Sequence, residues 1–402
     1  MDFKQVKENE EKAVLKNKNV VDSDFWRQKY HIQGIVGLIN DPNGFSQFNG
    51  EYHMFYQWNP LSTEHKNKTW AHSKSYDLLH WERCETALRP DTWYSKNGVY
   101  SGSGIVIDGK LYLFYTGNVK DAEGNRESYQ CIAVSEDGEH FDRWEPSIVN
   151  QPDGYTRHIR DPKIWEKDGK YYAVLGIQSE KLEGKVVLYS SENIKDWKFE
   201  GEIAGANHGK LKDFGFMWEC PDYFEVDGKE IFMFSPQGIT RMYPYYENVY
   251  QIGYSVVEDG IENVDKLDNF TLLDYGHDFY AAQTFLDEDD NRVLIGWMYV
   301  PDSSYTNPTV KFGYQNCLTV PRVVNFKDGK VRQTLHKSVK DLLGNDIKTN
   351  DFNKNTWYYK QKHGESFEIS VADFKVSYKD KELKVSFGTS GYGRNDRKYN
   401  CI

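Results

Sequence analysis

The alternation of apolar and polar positions that announces a β-strand recurs five times along this chain, each time beside a turn. An Asn-Gly or Asp-Gly pair leads into an aromatic-rich run in FNGEYHMFYQW (48–58), IDGKLYLFYTG (107–117), KDGKYYAVLG (167–176) and VDGKEIFMFS (226–235), and DDNRVLIGWM (289–298) follows the same plan more loosely. The turn positions Gly50, Gly109, Gly169, Gly228 and Asn291 stand 59, 60, 59 and 63 residues apart. Asn-Gly and Asp-Gly tolerate the positive φ of a tight turn, so each pair between alternating hydrophobics predicts a hairpin. A period of about sixty residues holds four short strands with their loops, and a radial array of such sheets is a β-propeller. The pattern therefore predicts an all-β fold, a five-bladed β-propeller. SKSYDLLHWE (73–82), VSEDGEHFDRWE (134–145) and SSENIKDWKFEG (190–201) repeat a Ser, an acidic turn and an aromatic ahead of a new strand, as outer hairpins would.

After VPRVV (320–324) the period stops, although FEISVADFKVSYKDKELKVSFG (367–388) alternates again. Three regions are expected: a charged N-terminal extension at 1–27, the propeller at 28–332, and at 333–402 the start of a β-sandwich with too few strands to close. The composition agrees with strands, since 29 Tyr, 22 Phe and 11 Trp suit pleated, half-buried surfaces. A formal net charge of −11 argues against a nucleic-acid partner, which would need clustered Lys and Arg. The charged N-terminus has no apolar leader and no later run is long enough for a membrane span, so a cytoplasmic protein without a membrane partner is expected. Five scattered cysteines with no CxxC pair suggest neither disulfides nor zinc.

A polar cluster precedes three of the turns. Asp41 in NDPNG lies nine residues before Gly50, Asp161 in RDP eight before Gly169, and Glu219 in ECP nine before Gly228. If these strands are the innermost of their blades, three carboxylates converge at one mouth of the channel. Glycoside hydrolysis needs one carboxylate to attack the anomeric carbon and one acid to protonate the leaving oxygen. A metal site lacks the dense DxDxD loop that calcium would call for, and no cofactor is indicated. A non-catalytic sugar-binding platform would have no need of both a nucleophile and an acid.

GLINDPNG (37–44), FYQWNP (55–60), YSGS (100–103), RDPK (160–163), WECPD (218–222), DFYAAQ (278–283) and GWM (296–298) together resemble the motif series of family 32 glycoside hydrolases. Within that family, LYLFYTGNVKD (111–121), NRESYQC (125–131) and QPDGYTRHIRDPKIW (151–165) are most similar to the bacterial sucrose-6-phosphate hydrolases. The resemblance implies Asp41 as nucleophile, Glu219 as acid and then base, and Asp161 as the group that holds fructose hydroxyls. It implies Asn40, Gln57, Ser101 and Arg160 as hydrogen-bonding partners of the sugar, with Leu38, Ile39, Tyr100 and Trp297 as walls. The expected partner is a small sugar, sucrose 6-phosphate or sucrose; a levanase or inulinase is the rival within the family. A phosphate on the leaving glucose would need local capture by cationic groups, for which His65, Lys66, Arg157 and His158 are candidates by proximity to the motifs. His65 is equally a solvated loop histidine, and Cys220 is read as a small buried hydrophobe without chemistry.

Overall fold

Four of the predicted turns have the backbone that their residues favour. Asn49-Gly50, Asp108-Gly109, Asp168-Gly169 and Asp227-Gly228 all take positive φ at both positions, between 49° and 77°. The fifth, looser repeat closes instead through Asp287, whose Oδ1 accepts from the backbone N–H of Asp289 and Asn291. The computed structural model describes residues 4–242, 245–258, 260–261, 267, 269–276, 278–343, 366–371, 374–386 and 396–400.

The described residues are all-β apart from one N-terminal helix and short helical pieces. The first sheet runs through β1 (Gly37–Phe48), β2 (Glu51–Asn59), β3 (Thr69–Ser75) and β4 (Glu82–Arg83). The second contains β5 (Val99–Ile107), β6 (Lys110–Lys120), β7 (Arg126–Ser135) and β8 (Asp142–Arg143), and the third β9 (Tyr155–Lys167), β10 (Lys170–Ser179), β11 (Gly184–Ser191) and β12 (Lys198–Gly205). The fourth has β13 (Met217–Val226), β14 (Lys229–Gln237), β15 (Gly253–Val257) and β16 (Thr271–Leu272). In the fifth, β17 (Tyr280–Leu286) and β18 (Arg292–Trp297) are followed by β19 (Tyr314–Gln315), which leaves to pair in parallel with β1, before β20 (Arg322–Lys327) and β21 (Lys330–Leu335) complete the sheet. The last strand thus ends at Leu335, a little beyond the boundary at 332 read from the period. A sixth sheet contains β22 (Phe367–Val371), β23 (Phe374–Lys379), β24 (Glu382–Ser386) and β25 (Asp396–Asn400). Residues 344–365, 372–373, 387–395 and 401–402, also within the expected sandwich, lie outside the described residues.

First strands neighbour one another in sequence, β1 to β5 to β9 to β13 to β17, and β17 returns to β1. Each junction between consecutive sheets has its own apolar cluster, because successive side chains of a strand point to opposite faces. Met54, Tyr56 and Trp58 of β2 pack toward Tyr280, Ile295 and Trp297 of the fifth sheet, while Phe55 packs with Leu111, Leu113 and Tyr115 of the second. Phe232 and Phe234 of β14 join Val174 and Val186 of the third sheet, and Ile231 and Met233 join Phe279 and Leu294 next to the fifth. Both faces of β2 and β14 are buried, so the polar members of their alternating pattern are covered as well. β1 and β5 approach so closely that a Cβ on Gly104 would lie 2.8 Å from the Gly44 carbonyl oxygen.

The N-terminal extension holds a helix, α1 (Lys4–Asp22), which the charge pattern had hidden. Its inward face is the stripe Glu10, Val14, Asn17 and Val21, spaced as a helix requires. Val21 joins the cluster between the first and fifth sheets, and buried Glu10 takes two 3.0 Å bonds from Arg89 and one of 2.7 Å from Thr86. Among the described residues no helix is long and apolar enough to cross a membrane.

Candidate active site

Each of the five first strands carries one residue more than its partner at the same stage of the hairpin. The register slips between Ile39 and Pro42, Tyr100 and Gly102, Arg160 and Lys163, Glu219 and Asp222, and Tyr280 and Gln283. Such a bulge re-aims side chains and interrupts the ladder. Inside these bulges lie Asn40 and Asp41, Ser101, Asp161 and Pro162, Cys220 and Pro221, and Ala281 and Ala282. Asp161, Cys220 and Ala281, at φ 62°, 46° and 50°, take the left-handed backbone, and proline follows two of them where the interrupted ladder asks for no N–H.

The bulges bring the three candidate carboxylates into one cluster. Asp41 accepts from Ser101 Oγ at 2.5 Å and from Asn40 Nδ2 at 3.0 Å. Asn40 also donates to Gln57 Oε1, and its own oxygen accepts from the buried Lys68 ammonium. Asp161, 5% exposed, accepts from the Cys220 N–H at 3.0 Å. The Cys220 thiol lies 3.7 Å from Asp161 Oδ2 and 3.9 Å from Asp41 Oδ2, between the two. Glu219 accepts at Oε1 from Arg160 Nε (3.0 Å) and Nη2 (2.8 Å), and at Oε2 from Gln237 (2.8 Å) and Tyr280 (2.8 Å). Tyr100 is half-buried with the Arg126 guanidinium over its ring, and Trp297 is buried with His65 stacked on it at 5.7 Å. Leu38 is buried, and Ile39 packs in the core between the first and fifth sheets.

Removal from water dominates the electrostatics. Burial raises the pKa of Asp41, opposed by the Ser101 hydrogen bond, raised further by Glu219, and opposed again by Asn40 and Lys68. Asp161 is raised by burial and by Glu219, with Arg160 pulling the other way. Burial lowers Lys68 to about 7 against the pull of Asp41 and Glu219. Burial also pushes the Cys220 thiol well up, with the adjoining carboxylates adding to it, so it stays protonated as a weak donor. Among the described residues no group of three His, Cys, Asp or Glu is spaced to hold a metal ion.

The model of the glycosyl hydrolases family 32 N-terminal domain matches residues 31–336. The chain belongs to glycoside hydrolase family 32. It is a glycoside hydrolase, and the family's curated members include near relatives: the sucrose-6-phosphate hydrolase of Bacillus subtilis (strain 168) is 45% identical over 337 residues, covering 83% of this chain and 70% of that protein. The sucrose-6-phosphate hydrolase of Staphylococcus xylosus is 38% identical over 373 residues, covering 92% and 74%. Among solved family 32 structures, the sucrose-6-phosphate hydrolase of Lactobacillus gasseri superposes with a TM-score of 0.85 at 30% identity, over 98% of this chain and 85% of that one. A Bombyx mori family 32 beta-fructofuranosidase mutant in complex with sucrose gives 0.81 at 28% identity, over 99% and 86%.

Several residues of this family 32 site were not legible in the strand pattern. Counting back from the turns sets Glu219 level with Arg160, each nine residues before its glycine, and Cys220 level with Asp161, each eight before; the bulges keep those alignments and bring Tyr280, which bonds Glu219 as Arg160 and Gln237 do, to the same position. Lys68, Gln237 and Tyr280 were missed. For Lys68 the available signal was a lysine directly heading the buried strand TWAHSKS. Of the cationic candidates, His65 stands exposed against Trp297, its pKa lowered by desolvation and by Lys68, and Lys66 is exposed and paired with Glu64 at 2.8 Å. Arg157 is exposed, and His158 alone reaches the site, 3.1 Å from Arg160.

Proposed function

We propose that this chain is a retaining β-fructofuranosidase that hydrolyses sucrose 6-phosphate, and sucrose less well, to fructose and glucose 6-phosphate or glucose. In this reading the five sheets are the blades of a five-bladed β-propeller, residues 28–332 form the catalytic domain, and 333–402 begin a β-sandwich. The enzyme works in the cytoplasm on sugar already phosphorylated. The observation that carries the reading is the convergence of Asp41, Asp161 and Glu219 from three sheets, each with a different set of partners.

Asp41, held by Ser101 and Asn40 with one side open, attacks the anomeric carbon of the fructosyl unit. The bond to the leaving oxygen breaks as Glu219 delivers its proton there, and an ester to Asp41 forms. Glu219 then takes a proton from water, whose oxygen displaces Asp41 at the same carbon, so two inversions give net retention. Asp161, oriented by the Cys220 N–H, binds fructose hydroxyls, and Arg160, Gln237 and Tyr280 fix the Glu219 carboxyl where the leaving oxygen emerges. Asn40 and Gln57 complete the polar lining; Leu38, Tyr100 and Trp297 are walls, with Ile39 supporting them from the core. Sucrose, sucrose 6-phosphate and inulin compared side by side, with the first anomer of fructose read by NMR, tests the reading. The expected result is the highest kcat/KM for sucrose 6-phosphate with retained configuration. An inverted first product overturns the double displacement, and equal or better use of inulin overturns the substrate.

A further inference from the structure

One group of cations beside the site is set together without a carboxylate partner among the described residues. Lys120 closes β6 and Arg126 opens β7, and the two are direct cross-strand partners. Like charges in that position destabilise a sheet. The nearest acidic residues in sequence are engaged elsewhere: Asp121 binds the Asn125 backbone and side chain at 2.7 Å each, and Glu127 accepts from Tyr129 at 2.7 Å. Arg126 spends one N–H on Asn118 at 2.7 Å and lays its guanidinium over Tyr100, 5.2 Å from the ring centroid. Among the described residues neither Lys120 nor Arg126 has a carboxylate partner.

His158 ties this pair to the catalytic cluster. Its Nδ1 accepts from Arg160 Nη1 at 3.1 Å, and Arg160 in turn holds Glu219. The ring is pushed down to about 4 by burial and then by Arg160, Arg126 and Lys120, all cations. It is therefore neutral, with Nδ1 occupied and the proton on Nε2, a donor still to be used. The Ser128 hydroxyl donates to the Arg157 carbonyl at 2.9 Å, which clamps β7 beside β9 and keeps the three side chains together. Glu219, Arg160, His158 and the Lys120–Arg126 pair thus form a series leading away from the acid.

We propose that Lys120, Arg126 and His158 are the subsite for the phosphate monoester of the leaving sugar. The two cations meet its dianionic charge, the imidazole Nε2–H donates to one of its oxygens, and Tyr100 carries the sugar ring beneath Arg126. The inference rests on the reading of the site as a fructosidase, and the experiment separates the two. For wild type, Arg126→Gln, Arg126→Lys and Lys120→Gln, kcat/KM is measured on sucrose 6-phosphate and on sucrose, and binding of glucose 6-phosphate and of glucose is titrated calorimetrically. A charge-assisted contact contributes about 1.5–3 kcal/mol, so Arg126→Gln should lower the ratio of the two kcat/KM values roughly 10- to 100-fold, mainly through KM. Arg126→Lys should restore part of that ratio, and glucose 6-phosphate should lose the same factor in affinity. An unchanged ratio in both neutral variants, or equal binding of the two sugars by wild type, overturns the subsite. Absence of fructose release from either substrate by wild type overturns the fructosidase reading instead, and the titration still decides the subsite.

Discussion

Two buried sets of polar groups sit on the same first strands, one before each bulge and one after it. Before the bulges stand Arg160, Glu219 and Tyr280, with Asp41 and Asp161 beside them; after the bulges stand Lys163, Asp222 and Gln283. The second set is closed. Lys163 Nζ lies 3.0 Å from Asp222 Oδ1 and donates to the Thr284 carbonyl at 2.6 Å, while Asp222 Oδ2 accepts from the Thr284 N–H at 2.7 Å and hydroxyl at 3.0 Å. Gln283 reaches Gly102 O at 2.7 Å on the second sheet. One positive charge faces one negative charge, and four of the sheets are tied together. The first set gathers three carboxylates around Arg160 and Lys68, and burial has raised two of the acids. Its acids keep open sides, whereas in the second set burial lowers the pKa of Lys163 against the opposing charge of Asp222. A bulge of a single residue divides the part of the strand that can do chemistry from the part that fixes the ring.

The contrast is tested most severely by Asp41→Asn. Loss of an attacking group should reduce kcat by roughly four orders of magnitude or more, while denaturant unfolding shows stability unchanged or higher by up to about 1 kcal/mol, because a buried acid has been neutralised. A loss of stability comparable to that of a core lesion would make Asp41 a structural residue. Glu219→Gln should cost about 10²–10⁴ in kcat on sucrose and less on an aryl fructoside, whose leaving group needs little protonation. Equal losses on both substrates would remove Glu219 from the acid role.

On the other side of the bulge, Lys163→Met should leave Asp222 buried without its cation and destabilise the protein by about 3–5 kcal/mol, with kcat per folded molecule nearly retained. Chemical denaturation and active-site-normalised turnover read this directly, and a stable but inactive variant would erase the distinction between the two sets. The smallest effect is expected from Lys68→Met. In the proposed mechanism Asp41 must be ionised to attack; burial raises its pKa and the Lys68 charge opposes that rise. Removing the cation should move the acidic limb of the pH profile of kcat/KM upward by about 0.5–1 unit. Lys68 itself loses its proton around 7, so the change belongs to the acid side of the profile. An acidic limb that stays in place or moves down contradicts the assignment.

What the amino-acid sequence determined by itself is the repeating part of this protein. Asn-Gly and Asp-Gly turns and alternating aromatics are local signals whose meaning depends on backbone preference within a few residues, so five hairpins and their common period could be read directly. Motif blocks such as NDPNG, RDP and WECPD likewise marked the acidic positions and the family. Helix α1 escaped because its buried stripe includes Glu10, whose burial makes sense only beside Arg89 and Thr86. Which residues touch was decided by tertiary structure. Counting from the turns already sets Glu219 level with Arg160, but only the bulges aligned both with Tyr280 and set the Cys220 thiol between Asp41 and Asp161. Lys68, Gln237 and the Lys120–Arg126 pair acquire their significance from neighbouring strands of their own sheets, far apart in sequence or folded back on one another. A charge is costly or useful according to its water and its neighbours, and neither is known until the ring of sheets has closed.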